Sequence, residues 1–259
     1  MCSIVMSIQS HNNGSKRLTI HMNRDEDPNR PTIFPHVLDE EFGIFGGKDV
    51  VHGGTWLAVN KYGLFAALTN YEYSDGTMPS PSGQLPLLSR GFLVLDILKS
   101  KTVEEMYSYA RFINATSYKS FNLLFGSVDM QYVLHGRDAQ TKSPQLITES
   151  FNLLCNGYLN CIEDTRTLSA KKQIGEWRPF HDKYFSHSGK TMMCLEEDLL
   201  TSDVCCKHDK DWKTVSSSAI SINNDGYMLF LYAAGAPCVT EYKLVYRSEA
   251  DYGKQSQKT

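Results

Sequence analysis

The chain has 259 residues, 41% of them hydrophobic and 21% charged, which is enough to bury a substantial core. Its 26 basic and 29 acidic residues leave a formal charge of −3, which excludes a general nucleic-acid binder and a polybasic membrane binder. No apolar run approaches the ~20 residues of a membrane span. The first residues carry neither a basic segment nor an apolar one, so no secretory leader is expected.

The chain opens with β signals. Residues 3–8 alternate, Asn12-Asn13-Gly14 suits a hairpin turn, and 17–22 is the return strand. A short strand is expected over 42–45, ending at Gly46-Gly47. Residues 55–60 and 64–70 flank Lys61-Tyr62-Gly63 as a second hairpin. Leu88, Phe92, Leu95 and Leu98 place a helix over 85–99. Thr102 caps a helix over 103–113, with Glu104 and Glu105 in its first turn. Strands return at 121–125 and 131–134, followed by helices over 165–177 and 192–200. The last strands span 216–222, 227–233 and 240–247, with a turn at Asn223-Asn224-Asp225-Gly226. Hairpins dominate and βαβ alternation is absent, so the class is α+β with antiparallel sheet and segregated helices. We expect residues 1–259 to form one domain.

The seven cysteines (Cys2, Cys155, Cys161, Cys194, Cys205, Cys206 and Cys238) include no C-x-x-C pair and read as reduced thiols. Adjacent Cys205 and Cys206 with His208 make a poor tetrahedral set, so no metal site is expected.

Three regions hold candidate chemistry. Removal of Met1 would leave Cys2 with a free α-amine, a base of pKa about 7.7–8.0 beside its own thiol. From the dipeptide alone, a nucleophile and an ordinary second residue both stay open. Asn23-Arg24-Asp25-Glu26 is expected at a strand end near Cys2, either as a solvated charged turn or as support for a thiolate. Gly53-Gly54-Thr55-Trp56 allows close approach of backbone to a neighbour or a ligand. Asn70 either caps a turn or donates to an oxyanion.

These motifs, with Gly46-Gly47-Lys48-Asp49, Val59-Asn60, Ala67-Leu68-Thr69-Asn70 and Ser89-Arg90-Gly91 behind a Met1-Cys2 start, resemble the NRDE family. That family is also called transport and Golgi organisation protein 2. The similarity is dense over residues 1–95 and loosens through Phe121-Asn122-Leu123-Leu124 and Asn156. The divergence resembles the nematode haem-responsive members. The resemblance implies an N-terminal-nucleophile hydrolase fold, a four-layer αββα sandwich. Cys2 then matches the nucleophile, Arg24 and Asp25 its supporting pair, and Asn70 and Asn156 oxyanion or ligand contacts. The family's late arginine is Val215 here, and no Pro-Trp pair follows Asn156. These departures favour binding over turnover.

The resemblance also implies haem as a transported ligand, moved from haem-rich compartments or membranes through transient membrane contact. It places the protein in the cytoplasm and at mitochondria. Cys2, Arg24, His52, Trp56 and Asn70 are expected around one cleft, with Cys2, His21 or His52 as the axial ligand. The alternatives are a Cys2-dependent amidase or thioesterase, and an acyl-CoA or lipid binder. No catalytic cofactor is expected.

Overall fold

A computed structural model describes residues 2–10, 13–72, 87–137, 143–161, 163, 167–168 and 206–248. Two antiparallel sheets face one another. The six-stranded sheet runs β10(Phe151–Leu154), β1(Ser3–Ser10), β2(Lys16–Glu26), β11(Lys213–Asn223), β12(Met228–Ala233) and β13(Lys243–Arg247). The seven-stranded sheet runs in chain order from β3(Thr32–Asp39) through β4(Ile44–Asp49), β5(Leu57–Val59), β6(Phe65–Asn70), β7(Phe121–Gly126) and β8(Gln131–Gly136) to β9(Gln145–Leu146). Every neighbouring pair in the second sheet is sequential and antiparallel, although residues 71–120 and their helices intervene between β6 and β7.

Strand alternation sorts the apolar residues into two cores. Ile4, Met6, Ile20, Met22, Ile220 and Phe230 of the first sheet meet Phe45, Trp56, Phe65 and Leu124 of the second. The opposite face of the second sheet, with Ala66, Leu68, Phe121, Leu123 and Phe125, packs on helices α1(Gly91–Ile97) and α2(Val103–Arg111). Each fully buried Phe contributes roughly 1.5–3 kcal/mol. The outer face of the six-stranded sheet is buried but polar, with Ser3, Ser7, Thr19, His21, Asn23 and Ser217 at most 3% exposed.

The expected hairpins and the 103–113 helix are present with shifted ends. Thr102 Oγ1 accepts from the Glu105 N–H at 3.3 Å, the cap its sequence position implies. The differences have identifiable causes. β2 continues through Asn23-Arg24-Asp25-Glu26 instead of ending before it, because β11 pairs with it as far as Glu26, past the last β1 partner at Asn23. Gly46-Gly47 lies inside β4, where it admits the Trp56 ring. A methyl on Gly47 would sit 2.6 Å from two ring carbons. The first helix begins only at Gly91, and Leu88 instead bridges Tyr118. Strands β3, β9 and β10 were not expected; β3 is an exposed edge and β9 has only two residues. The expected helices over 165–177 and 192–200 lie outside the described residues, apart from Thr167 and Leu168. No helix among the described residues is long and apolar enough to cross a membrane.

Gly54 meets a neighbour, the Gly91 backbone, which would lie 2.5 Å from an added methyl. The Thr55 N–H donates to Gly91 O at 3.2 Å and ties the loop to α1. Because the obstruction is backbone on both sides, we expect Gly54→Ala to destabilise the protein by about 1–3 kcal/mol, measured by denaturant unfolding.

Candidate functional site

The β1–β2 register pairs Ser3 with Asn23, so Cys2 lies at the strand end beside Arg24. Cys2 continues the face of Ile4 and Met6, and Arg24 that of Ile20 and Met22, so both point between the sheets. Here the two sheets open into a cavity of about 490 Å³. Cys2, Arg24, Asp25, His52, Trp56 and Asn70 all line it.

The Arg24 guanidinium stacks over the Trp56 ring, 4.7 Å from its centroid. Arg24 is only 4% exposed, and among the described residues its Nη1 has no hydrogen-bond partner. The Glu26 carboxylate is distant at 3.9 Å and also attends Arg30. Trp212 brings a second buried donor to the cavity, an indole Nε1 that likewise has no partner among the described residues. Two desolvated donors without acceptors cost roughly 1–3 kcal/mol each unless a ligand supplies them.

Cys2 is partly buried. Burial raises its thiol above the ordinary value and outweighs the lowering from the N-terminal charge, a backbone hydrogen bond at Asp25 and Arg24. The expected thiolate support from Arg24 is therefore present but insufficient, and the resting group is a thiol.

Arg24 and Asp25 are neighbours on one strand and face opposite sides of it. The Asp25 carboxylate accepts from Thr214 Oγ1 at 2.6 Å, and Thr214 Oγ1 in turn accepts from the Lys207 N–H at 2.8 Å. Val215 falls at the register shift between Thr214 and Ser216 and does not line the cavity.

Asn156 stands behind the cavity and not in it. Its Nδ2 donates to Asn70 O at 3.0 Å, so it positions Asn70 and is not a direct contact. His21 is fully buried on the polar outer face, the opposite side of β2 from Arg24, which removes it as an axial ligand in this cavity. His52 lines the cavity from an exposed loop.

The site also contains residues that the sequence alone did not assign. Arg90 lines the cavity and is held by its Nη1 bond to Ser120 O at 2.8 Å. The only sequence signal was its place in Ser89-Arg90-Gly91. Arg30 and Asp49 form a two-bond pair at 3.2 and 2.6 Å on the cavity wall. Burial raises the Asp49 carboxyl, but the Arg30 hydrogen bond and charge outweigh it and hold it below its ordinary value. Trp212 had no signal, because its position depends on the segment that precedes β11.

A polar network beneath Asn70 fixes the rim. Asn122 Nδ2 donates to Thr69 Oγ1 at 3.1 Å and to Gly157 O at 3.0 Å, and the His135 ring nitrogen Nδ1 lies 2.6 Å from Asn122 Oδ1. His135 is neutral in this network. Burial, then the nearby Arg137 charge, lowers its pKa to about 4. The unfolded chain takes up a proton near pH 6.5, so the stabilising difference is complete above that value and disappears as pH falls to about 4. We expect this group to remove about 3 kcal/mol of stability across that window. His135→Gln should flatten the slope of unfolding free energy against pH there.

No curated protein matches the chain. An N-acylethanolamine-hydrolyzing acid amidase ortholog from Caenorhabditis elegans superposes with a TM-score of 0.53 at 14% identity, over 85% of this chain and 92% of that one. A variant of the conjugated bile acid hydrolase from Clostridium perfringens superposes with a TM-score of 0.54 at 11% identity, over 95% and 97%. These likenesses identify the fold as the αββα N-terminal-nucleophile hydrolase sandwich. Residues 1–234 match the Transport and Golgi organisation 2 family, and with that match over most of its length the chain belongs to this family.

Proposed function

We propose that the protein binds haem in the cavity between the sheets and passes it on, acting as a carrier without turnover. The observation that carries this reading is the pair of desolvated donors, Arg24 Nη1 and Trp212 Nε1, at one cavity with an aromatic wall. An amphipathic anion satisfies both: its carboxylates take the donors and its apolar ring system covers Trp56 and Leu68. The volume of about 490 Å³ falls in the usual range for small-molecule sites. Cys2 and His52 are the available axial donors on the lining. A carrier must release its load, so the affinity belongs near micromolar, about −8 kcal/mol.

Haem titration followed by absorbance should saturate near one equivalent. Losing a charge-assisted hydrogen bond costs about 1.5–3 kcal/mol, so Arg24→Gln should weaken binding about tenfold to a hundredfold. Trp212→Phe keeps an aromatic ring, though a smaller one, and removes the donor, and should weaken binding less. Unchanged affinity in both variants rejects the donor role. No saturable haem binding, with tight binding of a long-chain acyl-CoA instead, transfers the site to a lipid ligand.

A second reading is favoured by one observation, the convergence of Cys2, Arg24, Asp25 and Asn70 in a fold whose neighbours are by name an acid amidase and a bile acid hydrolase. In that reading Met1 is removed and the Cys2 sulfur adds to an amide or thioester carbonyl. The thiol proton passes to the new α-amine and then to the departing amine or thiol. Water finally hydrolyses the acyl-cysteine. Asn70, on the same lining, would donate to the oxyanion. Intact mass of the cellular protein tests its premise: loss of Met1 is required, and a retained Met1 eliminates it. Turnover of any amide or thioester that Cys2→Ala lowers by several orders of magnitude would replace the carrier reading.

A further inference from the structure

Cys206, His208 and Cys238 come together beside the start of β11. Cys206 and His208 lie on a return segment paired with the strand start, through the His208–Lys213 bridge and the Thr214 N–H to Lys207 O bond of 2.9 Å. Cys238 arrives from the connection between β12 and β13, where the Val239 N–H closes a turn onto Ala236 O at 3.1 Å. The two sulfurs are 3.5 Å apart, and Cys238 Sγ lies 3.3 Å from His208 Nε2. All three donor atoms fall within 4.8 Å of one another.

A tetrahedral zinc ion sits ~2.3 Å from thiolate sulfur and ~2.0–2.1 Å from imidazole nitrogen. Those lengths set donor separations of about 3.8 Å for two sulfurs and about 3.5 Å for sulfur and nitrogen. Two of the separations therefore need to widen by only about 0.3 Å to accept the ion. The third closes by rotation of His208, whose side chain is exposed. Cys206 is 2% exposed and would anchor the ion from the protein side, while Cys238 and His208 leave an entry path from solvent. Two sulfurs and an imidazole select zinc over the harder divalent ions.

We propose that Cys206, His208 and Cys238 bind one Zn²⁺ through two thiolates and the His208 Nε2, with water in the fourth position. Two Zn–S bonds and one Zn–N bond form, and the two thiol protons leave to solvent without any change of oxidation state. The ion would clamp the β12–β13 connection to the segment entering β11. From there the Lys207–Thr214–Asp25 hydrogen bonds lead to the cavity margin. A Cys206–Cys238 disulfide is the competing fate of the pair, but it requires the sulfurs to close to ~2.05 Å and gives His208 no part.

The test uses the full chain without a polyhistidine tag, prepared under reductant. Metal analysis should find one zinc per chain. Cobalt titration of the metal-free protein should develop a thiolate-to-cobalt charge-transfer band with tetrahedral ligand-field absorption, saturating at one equivalent. Cys238→Ser and His208→Ala should each weaken zinc binding by about a hundredfold or more, since even outer-shell partners are worth ten to a hundredfold. Cys161→Ser, remote from the cluster, should leave it unchanged. If the variants fold poorly, wild-type unfolding decides: zinc should raise the Tm and magnesium should not. Wild-type affinity in both ligand variants, absence of the charge-transfer band, or a Cys206–Cys238 disulfide formed in the presence of zinc overturns the proposal.

Discussion

The cavity depends on one stacked pair. The Arg24 guanidinium lies over Trp56, and the Trp56 ring lies on the bare backbone of Gly47. Remove the glycine's freedom from a Cβ and the indole cannot settle. Without the indole, Arg24 would be a buried cation between two sheets with no face to lie against. Such a charge is costly in a low-dielectric core unless something compensates it. The ring does so in part, through its π-face, while leaving the guanidinium edge free. This explains how a buried arginine is stable yet still presents an unmatched donor to the cavity.

Strand geometry divides the labour around that pair. Alternation sends Arg24 inward with Ile20 and Met22 and sends Asp25 to the other side, toward Thr214. The register shift in β11 between Thr214 and Ser216 keeps both contacts in phase with β2. An extra residue, Val215, is absorbed there, as β-bulges do near functional sites. Thr214 is consequently shared: it holds Asp25 on one side and Lys207 on the other. The cavity margin and the cysteine–histidine cluster, both beside the start of β11, are joined through this residue.

The rim is built by a different device. Asn70 sits at the end of β6, and its carbonyl is held by Asn156, a residue of the loop after β10. Asn122 and His135 support that loop from β7 and β8. Side chains from three strands thus fix one loop with short polar contacts in place of apolar packing. Such a network is effective only while His135 stays neutral, because its Nδ1 bond to Asn122 belongs to a wider set of donors and acceptors that an added charge would unbalance.

Much of this protein was legible in its sequence by itself. Alternating apolar residues and Asn-Gly turns specified antiparallel hairpins, because side chains on a strand repeat every two residues and positive φ is open to few residue types. The family motifs, dense over residues 1–95, pointed to Cys2, Arg24, His52, Trp56 and Asn70 as neighbours, and all five line one cavity. What the sequence could not contain were relations between distant segments. β2 runs through Asp25 only because β11 pairs along it to Glu26, past the end of its pairing with β1. Gly54 serves Gly91, 37 positions away by residue number, and nothing local marks that approach. Asn156 was read as a contact and is a support, since its depth behind Asn70 is a property of the assembled sheets. Arg90 and Trp212 reach the cavity from remote elements, and Cys238 reaches Cys206 across two strands. Local pattern determines which elements form, because it reports burial period and turn chemistry. Tertiary packing alone decides which side chains share a space, because that depends on register and on how the two sheets face each other.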